Sequence, residues 1–206
     1  MTLLVMLRHG ETQWSHEKRI QGRTDVALNA NGRAVLAQRR LPDRFCKLRV
    51  VTSPLRRCVE TAQLLGLENV VHEPRLAEMS WGQWEGCRLS DLRAQLGDAM
   101  LANEARGLDF TPPLGESPRQ VLARVNTWLE EIAAAASPTL AVCHRGVIRV
   151  VFATACGWDM LGKPPAKLDW GALQVFSLDR SGKPSVLDLN LALDPLPQPR
   201  MGEARR

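Results

Sequence analysis

An arginine and a histidine stand side by side at Arg8 and His9, directly after the short apolar run Leu3–Leu7. A run so short and so rich in β-prone residues predicts a buried strand, and Gly10 permits the tight turn that ends it. Open α/β sheets bind their ligands at the carboxyl ends of their strands. A guanidinium that holds an oxyanion, next to an imidazole nitrogen that can attack phosphorus, is the pair that phosphoryl transfer needs.

A second histidine, His144, follows the apolar run Thr139–Cys143 and is itself followed by Arg145. A further cation, Arg56, comes shortly after the apolar run Leu48–Thr52. We place Arg56 in the first turn of a helix, where its side chain and the free helix amides could both face an anion. A capping or core role is the alternative for His144 alone, but two histidines at equivalent strand ends, each near an arginine, favour a shared site.

The rest of the chain alternates between strand and helix signals. Ala172–Leu178 and Ser185–Leu189 read as a hairpin. Helix start and stop signals are Asn29, Ser53-Pro54 with Gly66, Ser117-Pro118, and Gly146 with Gly157. This alternation predicts an α/β fold, a three-layer sandwich with a largely parallel sheet, an antiparallel edge and helices on both faces.

We predict one domain over residues 1–194, followed by a tail over residues 195–206. The segment 79–117 interrupts the alternation of strands and helices and is rich in Gly, Trp and Pro. It is predicted to be an insertion that roofs the site. The tail carries three prolines and part of the excess positive charge, which is typical of a solvated terminus.

The composition is that of an ordinary globular chain, with 206 residues of which 45% are hydrophobic and 24% charged. The net charge of +5 permits an anionic partner, but the basic residues are scattered and no nucleic-acid module is recognisable. No segment is long enough to span a membrane, and Leu3–Leu7 is too short for a signal peptide. Five cysteines without a Cys-x-x-Cys pair favour reduced thiols in a cytoplasmic protein.

Taken together, six ordered blocks of the chain resemble the histidine phosphatase superfamily, the group that includes cofactor-dependent phosphoglycerate mutase. The blocks are Arg8–Thr12, Gln21–Asn29, Ser53–Arg56, Leu76–Gly86, Gly115–Ser117 and Cys143–Arg149.

The resemblance implies roles for five residues. His9 would be the nucleophile that takes up the phosphoryl group as phosphohistidine, and Glu78 would be the proton donor to the leaving alkoxide. Arg8, Arg56 and His144 would line the phosphate pocket and stabilise the charge on its oxygens. The dense positive charge removes the need for a metal, and the resemblance implies no cofactor.

Four more residues are predicted to contact substrate: Ser15, Gln21, Gly22 and Arg145. Two of them depart from the family pattern. Ser15 stands where asparagine is common, and Arg145 stands where a small residue is common.

The resemblance leaves more than one activity open. The interval between Glu78 and His144 is compact, which favours a water-accessible site and hydrolysis of a small phosphorylated metabolite. The alternatives are a phosphoglycerate mutase-type phosphotransferase, a non-catalytic phosphate-ligand binder, and a metal hydrolase with His9, His144 and Glu78 as ligands. In the metal hydrolase alternative, the neighbouring arginines would repel the metal ion. No nucleic-acid or membrane partner is expected, and a homodimer is left open.

Overall fold

The computed structural model describes residues 1–196. Its strands are β1 (Thr2–Arg8), β2 (Arg39–Arg40), β3 (Arg49–Thr52), β4 (Val71–His72), β5 (Thr139–Cys143), β6 (Leu173–Leu178), β7 (Pro184–Leu191) and β8 (Asp194–Pro195). Six of them form one sheet in the order β4-β3-β5-β1-β6-β7. The pairs β1–β5, β5–β3 and β3–β4 are parallel, and β6 is antiparallel to both β1 and β7. The predicted sheet with an antiparallel edge is confirmed.

Helices connect the strands of this sheet. The α-helices are α1 (Gln13–His16), α2 (Ala30–Leu36), α3 (Arg56–Leu64), α4 (Leu89–Leu96), α5 (Asp98–Glu104), α6 (Pro118–Ala134) and α7 (Arg145–Cys156). Short 3₁₀ turns lie at Asp43–Phe45, Pro74–Leu76, Gly82–Trp84 and Gly107–Asp109. Within residues 1–196, no helix has the length and apolar character needed to cross a membrane.

The central strand β1 explains why helices cover both faces of the sheet. Its side chains alternate between the two faces. Leu4 and Met6 belong to a buried cluster with residues of α6 and α7. Val5 and Leu7 belong to a second buried cluster that includes Leu36 of α2. The predicted three-layer sandwich is therefore confirmed.

The start of α6 was predicted correctly, whereas the start of α3 was not. Ser117 caps α6, with its hydroxyl accepting from the Gln120 amide and the Gln120 side chain returning to the Ser117 amide. Helix α3 begins at Arg56 with Leu55 as its N-cap and has no side-chain cap. The predicted cap at Ser53 is wrong because its hydroxyl accepts from the Leu55 amide at 3.3 Å, which precedes the helix. The same hydroxyl is hydrogen-bonded to a histidine of the site described below.

The segment 79–117 contains two short helices, α4 and α5, and two of the 3₁₀ turns. Trp84, Leu92 and Met100 form a small buried cluster of their own within it. This cluster makes the segment a packed unit beside the sheet. Two short helices inside it were not predicted, because its Gly and Pro content pointed to loops.

The predicted tail begins inside a small strand pair. Arg39 and Arg40 pair antiparallel with Pro195 and Asp194, so Pro195 is paired. The Leu196 amide also donates to the Gln38 carbonyl at 2.9 Å. The first two residues of the predicted tail thus contact the segment 38–40, and the rest of the tail, 197–206, lies outside the described residues.

Candidate active site

The carboxyl ends of β1, β3 and β5 converge because the three strands are parallel neighbours. Arg8 at the end of β1 is paired with Cys143 at the end of β5. The two histidines that follow are therefore neighbours, and the ring centroids of His9 and His144 lie 5.3 Å apart with an edge-on orientation. Ser53 follows β3 and donates its amide to the Val142 carbonyl at 3.0 Å. Three strand ends thus supply one site, as the sequence predicted.

His9 is held with one ring nitrogen occupied and the other free. Its Nδ1 lies 2.7 Å from the Gly10 carbonyl oxygen, which can only accept, so Nδ1 carries the proton and Nε2 presents a lone pair. The Gly10 amide in turn donates to the Thr61 hydroxyl at 3.0 Å. Burial, with the charges of Arg8 and Arg57, holds the pKa of His9 well below its ordinary value. The imidazole is therefore neutral at pH 7, as a nucleophile must be.

His144 is fully buried behind His9. Arg57 Nε donates to its Nδ1 at 3.3 Å, so the proton is on Nε2, which lies 2.8 Å from the Ser53 hydroxyl. Burial and the Arg57 charge hold the pKa of His144 well below its ordinary value. The sequence predicted that His144 lines the phosphate pocket, whereas the structure places it against Arg57 and His9 and outside the cavity wall.

The arginine that reaches the site from α3 is Arg57. Its side chain is fully buried although it makes no ion pair within residues 1–196. One terminal nitrogen donates to the Thr24 carbonyl at 2.8 Å and the other to the Gly22 carbonyl at 2.7 Å. A guanidinium has five N–H donors and these contacts, with His144, use three, so two stay available to an anion.

The structure contradicts the prediction that Arg56 lines the pocket. The Arg56 side chain is 62% exposed and its Nε donates to Glu60 at 2.5 Å. One residue along an α-helix turns the side-chain direction by about 100°. Arg56 therefore points away from the face that buries Arg57 and Thr61. The spacing of Arg57 and Thr61, four residues apart on one buried face, is the sequence signal that could have identified Arg57.

A carboxylate of segment 79–117, Glu85, holds the loop that supplies the two carbonyl acceptors of Arg57. One Glu85 oxygen accepts from the amides of Arg23 (2.9 Å) and Trp81 (3.1 Å). The other accepts from the Thr24 amide at 2.9 Å and its hydroxyl at 2.5 Å. Glu85 thereby holds the loop whose carbonyls bind Arg57.

The same contact explains the glycine in this loop. Gly22 has φ +52°, and a Cβ there would lie 2.0 Å from a Glu85 oxygen. The neighbouring Gln21 accepts from the Thr12 hydroxyl at 2.9 Å. The loop from Gln21 to Thr24 is therefore fixed at both of its ends.

Glu78 lies at the amino end of α7. Its carboxylate accepts from the Met79 amide at 2.8 Å and the Gly146 amide at 3.1 Å. A helix N-terminus stabilises a carboxylate through its free amides. A Cβ at position 146 would lie 2.3 Å from a Glu78 oxygen, so glycine leaves room for the carboxylate in this position. Arg124 also donates to the Glu78 carbonyl at 3.2 Å, which fixes the backbone of the proton-donor candidate.

The remaining predicted residues differ in whether their polar atoms already have hydrogen-bond partners in the protein. Arg8 lines the cavity, and its buried Nε has no hydrogen-bond partner within residues 1–196. The Ser15 hydroxyl also reaches the cavity wall, but it donates to the Thr12 carbonyl at 3.0 Å in the cap of α1. Arg145 is exposed to the cavity, with its guanidinium over the Trp170 ring at 5.1 Å.

These side chains surround one cavity of about 1250 Å³. The predicted site residues in its wall are Arg8, His9, Ser15, Gln21, Gly22, Glu78 and Arg145. Segment 79–117 contributes Met79, Trp81 and Phe110 to the same wall. In the part of the chain described, no three His, Cys, Asp or Glu side chains cluster as metal ligands would.

A neutral histidine with a free ring nitrogen, beside buried arginines and a carboxylate, forms a site that can bind the oxygens of a phosphoryl group and attack its phosphorus atom. Residues 4–191 match the family described as histidine phosphatase superfamily (branch 1). The chain belongs to this family, so the resemblance is confirmed, and with it the prediction that the protein is a histidine phosphatase-type enzyme.

The similar proteins include both phosphatases and mutases. The chain is 34% identical to a glucosyl-3-phosphoglycerate phosphatase of Mycolicibacterium vanbaalenii over 180 residues, covering 77% of this chain and 78% of the relative. It is 35% identical to a 2,3-bisphosphoglycerate-dependent phosphoglycerate mutase of Methylorubrum extorquens over 133 residues, covering 60% and 62%. The structure of a mycobacterial glucosyl-3-phosphoglycerate phosphatase with VO3 is similar, with TM-score 0.74, 27% identity, and 93% and 100% of the two chains covered.

The assignment of Arg57, and not Arg56, as the pocket arginine can be tested with a matched pair of variants. Arg57→Lys removes the planar fork of donors and should weaken binding of inorganic phosphate roughly tenfold or more, as expected for hydrogen bonds to a charged group. Arg56→Lys should change it by less than about twofold, because exposed charges contribute little. Isothermal titration calorimetry measures both, with circular dichroism to confirm folding. Equal losses in the two variants would contradict the assignment of Arg57.

Proposed function

We propose that the protein is a metal-independent phosphomonoesterase that acts on a small phosphorylated metabolite through a phosphohistidine on His9. The observation that carries this proposal is the free Nε2 of a neutral His9 in the wall of a cavity that Arg8 and Glu78 also line. Relatives named as phosphatases support hydrolysis as the outcome.

The first step forms a bond between His9 Nε2 and phosphorus and breaks the bond from phosphorus to the ester oxygen. Arg8 and the two unused N–H groups of Arg57 stabilise the charge on the phosphoryl oxygens. Glu78, as a carboxylic acid, gives its proton to the departing alkoxide, so the alcohol leaves neutral. The Gly10 carbonyl keeps the proton on Nδ1 and stabilises the positive charge that the ring acquires.

The second step returns the enzyme to its starting state. Glu78, now a carboxylate, takes a proton from water while the water oxygen attacks phosphorus. The bond between nitrogen and phosphorus breaks, inorganic phosphate leaves, and His9 is neutral again. Each turnover thus consumes one ester and one water and releases one alcohol and one phosphate.

A second candidate is phosphotransfer of the mutase type, which the relatives named as phosphoglycerate mutases favour. The two candidates share the first step and differ in what accepts the phosphoryl group. The wide cavity of about 1250 Å³ supports water as the acceptor, because a mutase has to shield phosphohistidine from solvent.

Hydrolysis of p-nitrophenyl phosphate in excess EDTA tests the proposal directly. Wild-type protein should release phosphate, and His9→Ala should lower kcat by at least about 10³-fold because it removes the covalent step. His16→Ala, at an exposed histidine outside the cavity wall, is the matched control and should retain activity. Loss of wild-type activity in EDTA, or near-full activity in His9→Ala, would contradict the mechanism.

Replacement of the proton donor should depend on the leaving group. Glu78→Gln removes the proton that an alkoxide needs, so kcat for an alkyl phosphate should fall about 10²-fold or more. An aryl phosphate has a more acidic leaving group and should lose less than about tenfold. Steady-state assays of both esters measure the difference. Equal losses on the two would instead indicate that Glu78 only binds or orients the substrate.

A further inference from the structure

Helix α7 places two further arginines in the cavity wall, Arg145 and Arg149, which the proposed mechanism does not use. Arg145 and Arg149 lie four residues apart on α7, which places them on the same helix face, and both line the cavity. Neither makes an ion pair or donates a recorded hydrogen bond within residues 1–196, whereas arginines such as Arg75 and Arg119 are each paired with carboxylates. Their N–H donors are therefore available to a ligand.

Tryptophan rings support both guanidinium groups. Arg145 lies over the Trp170 ring at 5.1 Å and Arg149 over the Trp158 ring at 5.5 Å. Contact with an aromatic face stabilises the guanidinium charge, and because it uses no hydrogen-bond acceptor, the N–H groups stay available to a ligand. The two side chains are thus oriented before any ligand arrives, which lowers the entropy lost on binding.

These arginines stand on the side of the proton donor. The Gly146 amide, between them in sequence, holds the Glu78 carboxylate at 3.1 Å. In the proposed reaction Glu78 protonates the ester oxygen, so groups next to it face the alcohol part of the substrate. The charge of Arg145 acts both on Arg8 in the proposed phosphate pocket and on Arg149. After burial, its charge is the largest cause that lowers the pKa of Arg8 and of Arg149.

Among residues 1–196, no carboxylate in the cavity wall forms an ion pair with Arg145 or Arg149. The Glu78 carboxylate is held by two amides, and its charge acts on Arg149 only from beyond ion-pair distance, where it partly offsets the lowering of that arginine's pKa by burial. Asp169 accepts from the Gly171 amide at 2.8 Å and lies beyond ion-pair distance of either arginine. Two positive charges in a partly desolvated cavity repel one another, and a bound anion offsets that repulsion. The pair therefore favours binding of an anion.

We propose that Arg145 and Arg149 form a second anion subsite, so that the preferred substrates are phosphomonoesters whose alcohol carries another anionic group. This inference rests on the proposed function, since it places the alcohol part beside Glu78. The bound group is a carboxylate or a second phosphate, because both present paired oxygens to the planar arginine fork.

Three phosphate esters with the same three-carbon alcohol chain test the subsite. Two carry a second anionic group on the alcohol part, 2-carboxyethyl phosphate and propane-1,3-diol bisphosphate. The third, 3-hydroxypropyl phosphate, has an uncharged alcohol part and is called the uncharged ester below. Wild-type kcat/KM should be roughly tenfold or more higher for at least one charged ester than for the uncharged one. The better of the two charged esters identifies carboxylate or phosphate as the bound group. Arg145→Gln and Arg149→Gln should each reduce that preference below about threefold.

A control variant removes the same charge elsewhere. Arg180→Gln, in the exposed turn between β6 and β7, should keep the full preference. Arg145 is exposed, so its replacement tests the subsite even if Arg149→Gln fails to fold. Arg149→Lys should restore part of the preference, because it restores the charge without the fork.

The outcomes separate this inference from the proposed function. Turnover of p-nitrophenyl phosphate without preference among the three esters would overturn the subsite alone. The same holds if the preference survives in Arg145→Gln, or falls equally in Arg180→Gln. If folded wild-type protein hydrolyses no ester, the proposed function fails and this inference fails with it.

Discussion

The buried guanidinium of Arg57 is the constraint on which the rest of the site depends. A charge without a carboxylate partner is costly to bury, and here its donors meet neutral acceptors, the carbonyls of Gly22 and Thr24 and the ring of His144. An ion pair would have cancelled the positive potential, whereas neutral acceptors hold the side chain and preserve that potential for an anion. The same charge helps to keep both histidines neutral.

This arrangement explains why distant segments must meet. Glu85 fixes the loop that supplies the two carbonyls, and a glycine is required where that loop touches Glu85. The amino end of α7 similarly holds Glu78 through the Gly146 amide, where glycine leaves room for the carboxylate. The parallel strands contribute the common edge, and the loops and helix ends determine where each polar atom lies.

Much of this was accessible from the sequence. His9 and His144 directly follow apolar runs, and parallel strands bring such positions together. The prediction that Arg56 lies in the first turn of α3 is correct, but the side chain that enters the cavity wall belongs to the next residue, Arg57. A helix start placed a few residues too early does not settle which of two adjacent side chains faces the site. Glu85 was missed because its partners are about 60 residues away in the chain. The pairing of Arg39–Arg40 with Asp194–Pro195 is too short to leave a periodic pattern.

In the proposed reaction a neutral His9, with its proton on Nδ1, attacks phosphorus through Nε2. The most direct test is to quench the enzyme in alkali during turnover and locate the phosphoryl group by phosphorus–proton correlation NMR and peptide mass spectrometry. We expect one phosphoryl group on Nε2 of His9 and none in His9→Ala. Phosphorus on Nδ1, on His144, or on no residue at all during turnover would contradict this mechanism.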